Sequence, residues 1–269
     1  MASWQPGADR REPEGRAGAR PRDNIWPRGM TADGDGRLPD DGRRRGAVRD
    51  LRVVLLTVTA GAVNAVSFLA LGNVFSSVIT GNLVLLGIAA GTHVASEAIR
   101  SGAALAGYSA GVLAGAPIAA RGHGHAGTWP RSVTTTLAAE LCVLVAGCIG
   151  WELPHGRPRG GAQLALLVVL AAAMGMQSAA VRRLGQMSST YLTSTLTGVL
   201  GGLATGTLPG AIGRSIGVLA AGLIGAAAGG LLATRASGWL PAIILLPLGL
   251  VIAASAATGS GRPWPARRP

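Results

Sequence analysis

Glu140 is the residue in this sequence best placed to do chemistry. It lies eight positions after Ser132 and eleven before Trp151, in a stretch with no other charge. A carboxyl group in such surroundings is costly unless it carries a proton, finds a partner or faces an aqueous cavity. Two roles follow: a proton or cation site inside a helical bundle, or a structural partnership with a hydroxyl or a loop arginine. Asn64, Thr80, Asn82, Gln177, Thr193 and Thr195 form a second polar set within apolar surroundings. Amides both donate and accept hydrogen bonds, so these side chains can line a small-molecule site. They can equally cross-link or cap helices, each bond contributing about 1 kcal/mol in a membrane. Thr80-Gly81-Asn82, near a helix start, can present backbone N–H groups to an anion.

These residues sit in elements that only a bilayer explains. The chain has 269 residues, and its first 50 hold 11 of the 24 arginines and 9 of the 12 acidic residues. The remainder carries 13 arginines, no lysine, and only Glu97, Glu140 and Glu152 as acids. A soluble surface needs roughly a quarter of its residues ionisable; hydrocarbon penalises them. The sequence therefore predicts an all-α, polytopic transmembrane bundle of six to eight segments, at about 53–71, 74–91, 99–120, 132–151, 162–181, 187–206, 213–234 and 239–257. Several are long enough to span; 74–91 and 187–206 are short or hydroxyl-rich.

Residues 1–50 read as a disordered tail, rich in Arg, Gly, Pro and Asp, with no apolar run for a core or a signal peptide. Arg43, Arg44, Arg45 and Arg49 immediately precede the first apolar run, which predicts a cytoplasmic N-terminus. The membrane domain is then 51–257, with a short tail at 258–269. The net charge of +12 points to anionic lipid as a partner and not to nucleic acid, because the arginines fall in the tail and between apolar stretches.

Gly107, Gly111 and Gly115 repeat every fourth position, and Gly225 and Gly229 do the same. Such stripes let helix backbones pack closely, within one chain or across a homo-oligomer. Trp129, Trp151 and Trp239 fall at segment ends, as interfacial anchors do, and Pro117, Pro241 and Pro247 are placed to bend helices. Cys142 and Cys148, six residues apart on one helix, are about 9 Å apart along its axis and read as unbridged.

Metal and catalytic patterns are not in evidence. His93, His123, His125 and His155 fall in loops, Ser188-Ser189-Thr190 has no neighbouring histidine base, and no Walker motif is present. The expectation is no enzyme, no cofactor and no metal.

A weak repeat organises the apolar region. At an offset of 113, Leu71-Gly72 falls on Leu184-Gly185, Ser76 on Ser189, Thr80 on Thr193 and Leu83 on Leu196. Asn64 meets Gln177, and Asn82 meets Thr195. The copies run parallel if every segment crosses, and are inverted if 74–91 and 187–206 are re-entrant. The arginines favour neither arrangement strongly.

Gly61 to Gly87, GAVNAVSFLALGNVFSSVITGNLVLLG, resembles the signature of the YoaK-like bacterial membrane proteins, a domain of unknown function. Gly175-Met176-Gln177 through Thr197 is similar to that family's second signature, and the resemblance covers about residues 50–257. It implies a multi-pass inner-membrane protein. Where the family commonly has an aspartate this chain has Asn64, which weakens proton coupling at that position. Two functions remain: a secondary transporter or permease of a small solute, or a membrane scaffold or accessory subunit without transport activity.

Overall fold

The computed structural model describes residues 40–121, 129–184, 192–206 and 212–259. Every described element is helical: α1 (Asp40–Ala70), α2 (Ile79–Gly91), α3 (Ala95–Ala120), α4 (Arg131–Glu152), α5 (Gly160–Arg183), α6 (Leu192–Thr205), α7 (Ile212–Arg235) and α8 (Leu240–Gly259), with a 3-10 turn at Ser237–Trp239. Six of them, all but α2 and α6, are long and apolar enough to cross a membrane. The helical, polytopic class expected from composition is the one observed. α1 begins at Asp40, so its first turns occupy part of what the sequence assigns to the tail before residue 51. The remainder of that tail, and residues 260–269, lie outside the described residues.

The helices turn inside out relative to a soluble bundle. Small residues make the closest contacts, whereas Leu113 and Leu223 are each 74% exposed. Such a surface suits lipid, which is as apolar as leucine and does not drive leucines inward. Contact is closest where a glycine admits a neighbouring backbone. A Cβ on Gly111 would lie 1.9 Å from the Ala172 carbonyl oxygen, and one on Gly225 would lie 2.2 Å from that of Val58.

Contacts between helices fix their directions. Gly107, Gly111 and Gly115 meet Val168, Ala172 and Met176 in ascending order, so α3 and α5 are parallel. Gly225 and Gly229 meet Val58 and Ala62, so α7 and α1 are also parallel. Gln177 donates to the Leu56 carbonyl at 3.2 Å and Gln163 to that of Ala70 at 2.9 Å, which makes α1 and α5 antiparallel. α4 runs against α5, with Gly147 beside Leu170 and Gly150 beside Leu166. α8 runs against α1, where Arg52 donates to the Ala254 carbonyl and Thr59 to that of Ile244.

These directions settle the crossing count left open by the sequence. α1 ends, and α3 and α5 begin, at one end of the bundle, where Leu71, Ser96, Arg100, Gly160 and Gln163 line a common cleft of about 220 Å³. The segment between α1 and α3 therefore returns to the end it left. The same holds between α5 and α7, at the opposite end. At about 20 Å each, α2 and α6 are too short for 30 Å of hydrocarbon in any case.

The repeat is consequently inverted, and its register is sharper in three dimensions than in sequence. Gly61, Gly111 and Gly115 have counterparts at Gly175, Gly225 and Gly229, each 114 positions on. A Cβ on Gly61 would meet Gly222 O, Ala226 N and Gly225 C; one on Gly175 would meet Tyr108 O, Val112 N and Gly111 C, the same atoms 114 positions earlier. The α3–α5 crossing thus maps onto the α7–α1 crossing by a pseudo-two-fold rotation. The offset of 113 read from sequence is therefore one residue short at the glycine crossings.

Candidate functional site at the half-helices

α1 stops because the chain at Leu71-Gly72-Asn73 leaves the helical region. Gly72 has φ +110° and Asn73 φ +58°, and the Asn73 N–H donates to the Phe68 carbonyl at 3.0 Å, a Schellman-type closure. Gly72 also accommodates Arg100, whose Cδ lies 2.5 Å from where a Cβ would stand. The chain then dips back along α1. Asn64 Oδ1 accepts the backbone N–H groups of Ser76 and Ser77, both at 3.0 Å, and Asn64 Nδ2 donates to Ser77 Oγ at 2.7 Å. Since Asn64 lies six residues before the end of α1, the dip reaches about 9 Å inward.

Asn82 closes the other side of the link. Its Oδ1 accepts the Phe75 N–H at 3.0 Å, and its Nδ2 donates to the Phe75 carbonyl. Ser67 and Ser76 share a hydroxyl–hydroxyl bond, and Phe68 and Phe75 stack with centroids 5.0 Å apart. Unpaired backbone at membrane depth costs several kcal/mol per group. The two asparagines and the serines supply the partners that residues 75–77 lack while out of a helix. Thr80 is exposed, and Gly81 packs on Phe75 and Val78.

In the second half, α6 begins at Leu192, whose Cδ1 lies 3.2 Å from a Cβ position on Gly222, beside Thr57. Thr195 is buried and Thr193 exposed. The link at 185–191, with Ser188-Ser189-Thr190, lies outside the described residues. α2 therefore opens near Asn64 and α6 near Thr57, and the two half-helix N-termini start from opposite sides within about 10 Å of each other along α1.

Glu140 lies on the buried face of α4 with Ser132, Thr136, Leu144 and Cys148, and is 0% exposed. Neither of its carboxyl oxygens has a hydrogen-bond partner among the described residues. Continuing the α4–α5 register brings it level with Gln177, and hence with Leu56 and the start of α6. The structure thus places Glu140 and Gln177 in the core at mid-depth, and Asn64 and Asn82 around the α2 link. Glu140 is not among the residues lining the clefts at the Trp151 end.

Trp151 is 4% exposed inside the bundle and Trp239 is 71% exposed, while Trp129 lies under Arg52, the guanidinium carbon 4.7 Å from the ring centroid. Cys142 and Cys148 are both free thiols. His123 and His125 lie outside the described residues, among which no cluster of three metal-ligating side chains occurs. The expectation of no catalytic pattern, Gly-x-Ser-x-Gly included, needs correcting, since Gly213-Arg214-Ser215-Ile216-Gly217 is such a pattern. It lies inside the first turns of α7, whereas the serine of a nucleophile elbow sits on the sharp turn that precedes its helix.

Comparison with known proteins gives one consistent result. The family model described as "Protein of unknown function (DUF1275)" matches residues 52–256. The UPF0700 transmembrane protein YoaK of Bacillus subtilis (strain 168) is 35% identical over 158 residues, which cover 57% of this chain and 67% of that protein. No solved structure matches.

Proposed function

The chain belongs to the DUF1275 family of uncharacterised membrane proteins, and from that premise we propose that it is a secondary transporter or channel-like permease of a small solute. The observation that carries this reading is the pair of half-helices entering from opposite ends in an inverted repeat. A half-helix that opens inside the membrane directs orphan backbone donors and the positive end of its dipole at the midplane. Secondary transporters build substrate sites in this way, between discontinuous helices at the repeat interface. A purely structural bundle has no need of a broken segment such as 75–77, whose backbone must then be satisfied by Asn64 and Asn82. On this reading Asn64, Thr80, Gly81, Asn82, Gln177, Thr193 and Thr195 frame the solute path, the asparagines by holding the broken backbone in place.

The arginine-rich end faces the cytoplasm. Arg49, Arg52, Arg121, Arg131, Arg182, Arg183 and Arg214 gather there, against Arg100, Arg157, Arg159 and Arg235 with Glu97 and Glu152 at the other end. Lipid covers the exposed leucines, with a second copy of the chain as the other candidate, and neither nucleic acid nor an enzymatic reaction enters the account. Cysteines introduced at Thr92 and at His155 should react with an impermeant thiol reagent from the outside of intact cells, and one at Thr205 should not.

The test of function is solute flux in proteoliposomes, across panels of small anions, zwitterions and neutral solutes. Wild-type protein should carry at least one class, and Asn82→Ala should reduce its flux. Failure to carry any would remove the reading. The tight use of both asparagines on backbone favours, as the second reading, a scaffold or accessory subunit. That reading requires a stoichiometric partner in gentle detergent.

A further inference from the structure

We propose that Glu140 is a proton-binding site at the centre of the bundle, reached from the arginine-rich end along Ser132 and Thr136.

Burial and isolation come first. Glu140 is wholly enclosed and both carboxyl oxygens lack partners among the described residues. A bare carboxylate in apolar surroundings is far too costly to persist, whereas a carboxylic acid is an ordinary polar group that needs one or two hydrogen bonds. Among the described residues no ionisable group of the neighbouring helices lies level with it. α5 carries none between Gly160 and Val181, and α8 none between Leu240 and Ser255. α3 offers only Tyr108 within its span, with Glu97 and Arg100 near its start at the far end. The charges of α1 and α7 lie at their ends, at Arg49, Asp50 and Arg52, and at Arg214 and Arg235. On α4 itself the others are Arg131, Cys142, Cys148 and Glu152.

A polar stripe then leads to it from one side. Ser132, Thr136 and Glu140 recur every fourth residue on the buried face of α4, and the same line continues as Leu144 and Cys148. The hydroxyls therefore approach Glu140 from the Arg131 end alone. Ser132 Oγ is buried with no partner among the described residues, and Thr136 Oγ1 donates to the Ser132 carbonyl at 2.9 Å, which leaves its lone pairs free to accept. Each step along the stripe is about 6 Å, a distance that one hydrogen-bonded water spans. Trp129 and Arg52 stand at the mouth, three residues before Ser132, with Trp129 Nε1 donating to Thr134 Oγ1 at 3.0 Å. A proton taken up from that end passes by hydroxyls and water to one carboxyl oxygen and leaves by the same atoms. Only as the coupling site of the proposed flux does this role depend on the transport reading.

Infrared difference spectroscopy of the protein in lipid vesicles open to both sides tests it. A carboxylic-acid carbonyl band should be present in wild type, vanish in Glu140→Gln, shift on transfer to deuterium oxide and bleach as pH rises. Thr136→Val keeps the band and removes one hydroxyl, and should slow its deuterium exchange about tenfold, the factor for one lost hydrogen-bonded step. The proposal is overturned by a spectrum unchanged in Glu140→Gln, by a band indifferent to pH and deuterium, or by equally fast exchange in Thr136→Val. Glu140→Asp serves as the second variant if Glu140→Gln fails to fold, and should retain a shifted band. Absence of flux with the band and exchange intact would sink the transport reading and leave the proton site standing.

Discussion

The α1–α2 and α5–α6 hairpins share a connectivity and point in opposite directions, and the amides described in them bond differently. In the first, Asn64 and Asn82 both bind the backbone of the link they flank, and together they satisfy Phe75, Ser76 and Ser77. In the second, Gln177 donates across the core to the Leu56 carbonyl of the other half; in the register of the glycine crossings it corresponds to Val63, and Ser178 corresponds to Asn64. One half-helix is therefore fastened within its own hairpin, while the amide of the other hairpin ties the two halves together. The glycine crossings repeat at an interval of 114, atom for atom at Gly61 and Gly175 and at Gly111 and Gly225. Packing repeats between the halves, whereas among the described residues Asn64 and Gln177 engage different kinds of partner.

The sharpest way to break this contrast is Asn64→Ala. It orphans two buried backbone N–H groups at about 1–3 kcal/mol each, so a loss of about 4 kcal/mol is expected in detergent unfolding. Asn64→Asp keeps both acceptor positions and should recover most of it. Next come Gly111→Ala and Gly225→Ala, each expected to cost about 3 kcal/mol from overpacking against backbone. Equal losses in matched thermal unfolding would uphold the symmetry of the crossings, and a loss confined to one would break it. Gln177→Leu should cost only about 1 kcal/mol, one membrane hydrogen bond whose acceptor keeps its helical partner. The smallest effect belongs to Gly87→Ala, where nothing lies within 4 Å of the added methyl group. A gain of about 0.5 kcal/mol is expected from reduced chain entropy; a loss would show that something covers this face.

Most of the helices were legible in the sequence because hydrocarbon imposes one rule on every residue that meets it. The start of α2 was not. Periodicity and composition carry an apolar run on from residue 74, but the backbone of 75–77 is held out of the helix by asparagines seven to thirteen residues away, a contact that no local pattern announces. Glu140 was conspicuous as a lone charge. The stripe that leads to it was visible only as spacing until burial showed which face of α4 it occupies. The half-buried polar set resolved into two kinds of residue, those around the α2 link and those in the core, through hydrogen-bond geometry alone.

By itself the sequence determined the medium, the helical class and the existence of a repeat, since each follows from residue type and interval; which end gathers the arginines came only with the helix directions. The direction of the repeat was decided only by tertiary structure. An interval of 113 or 114 positions is the same whether the copies are parallel or inverted. What distinguishes the two is whether 71–94 crosses the bilayer, and that depends on Asn64 and Asn82 making a broken backbone tolerable at membrane depth.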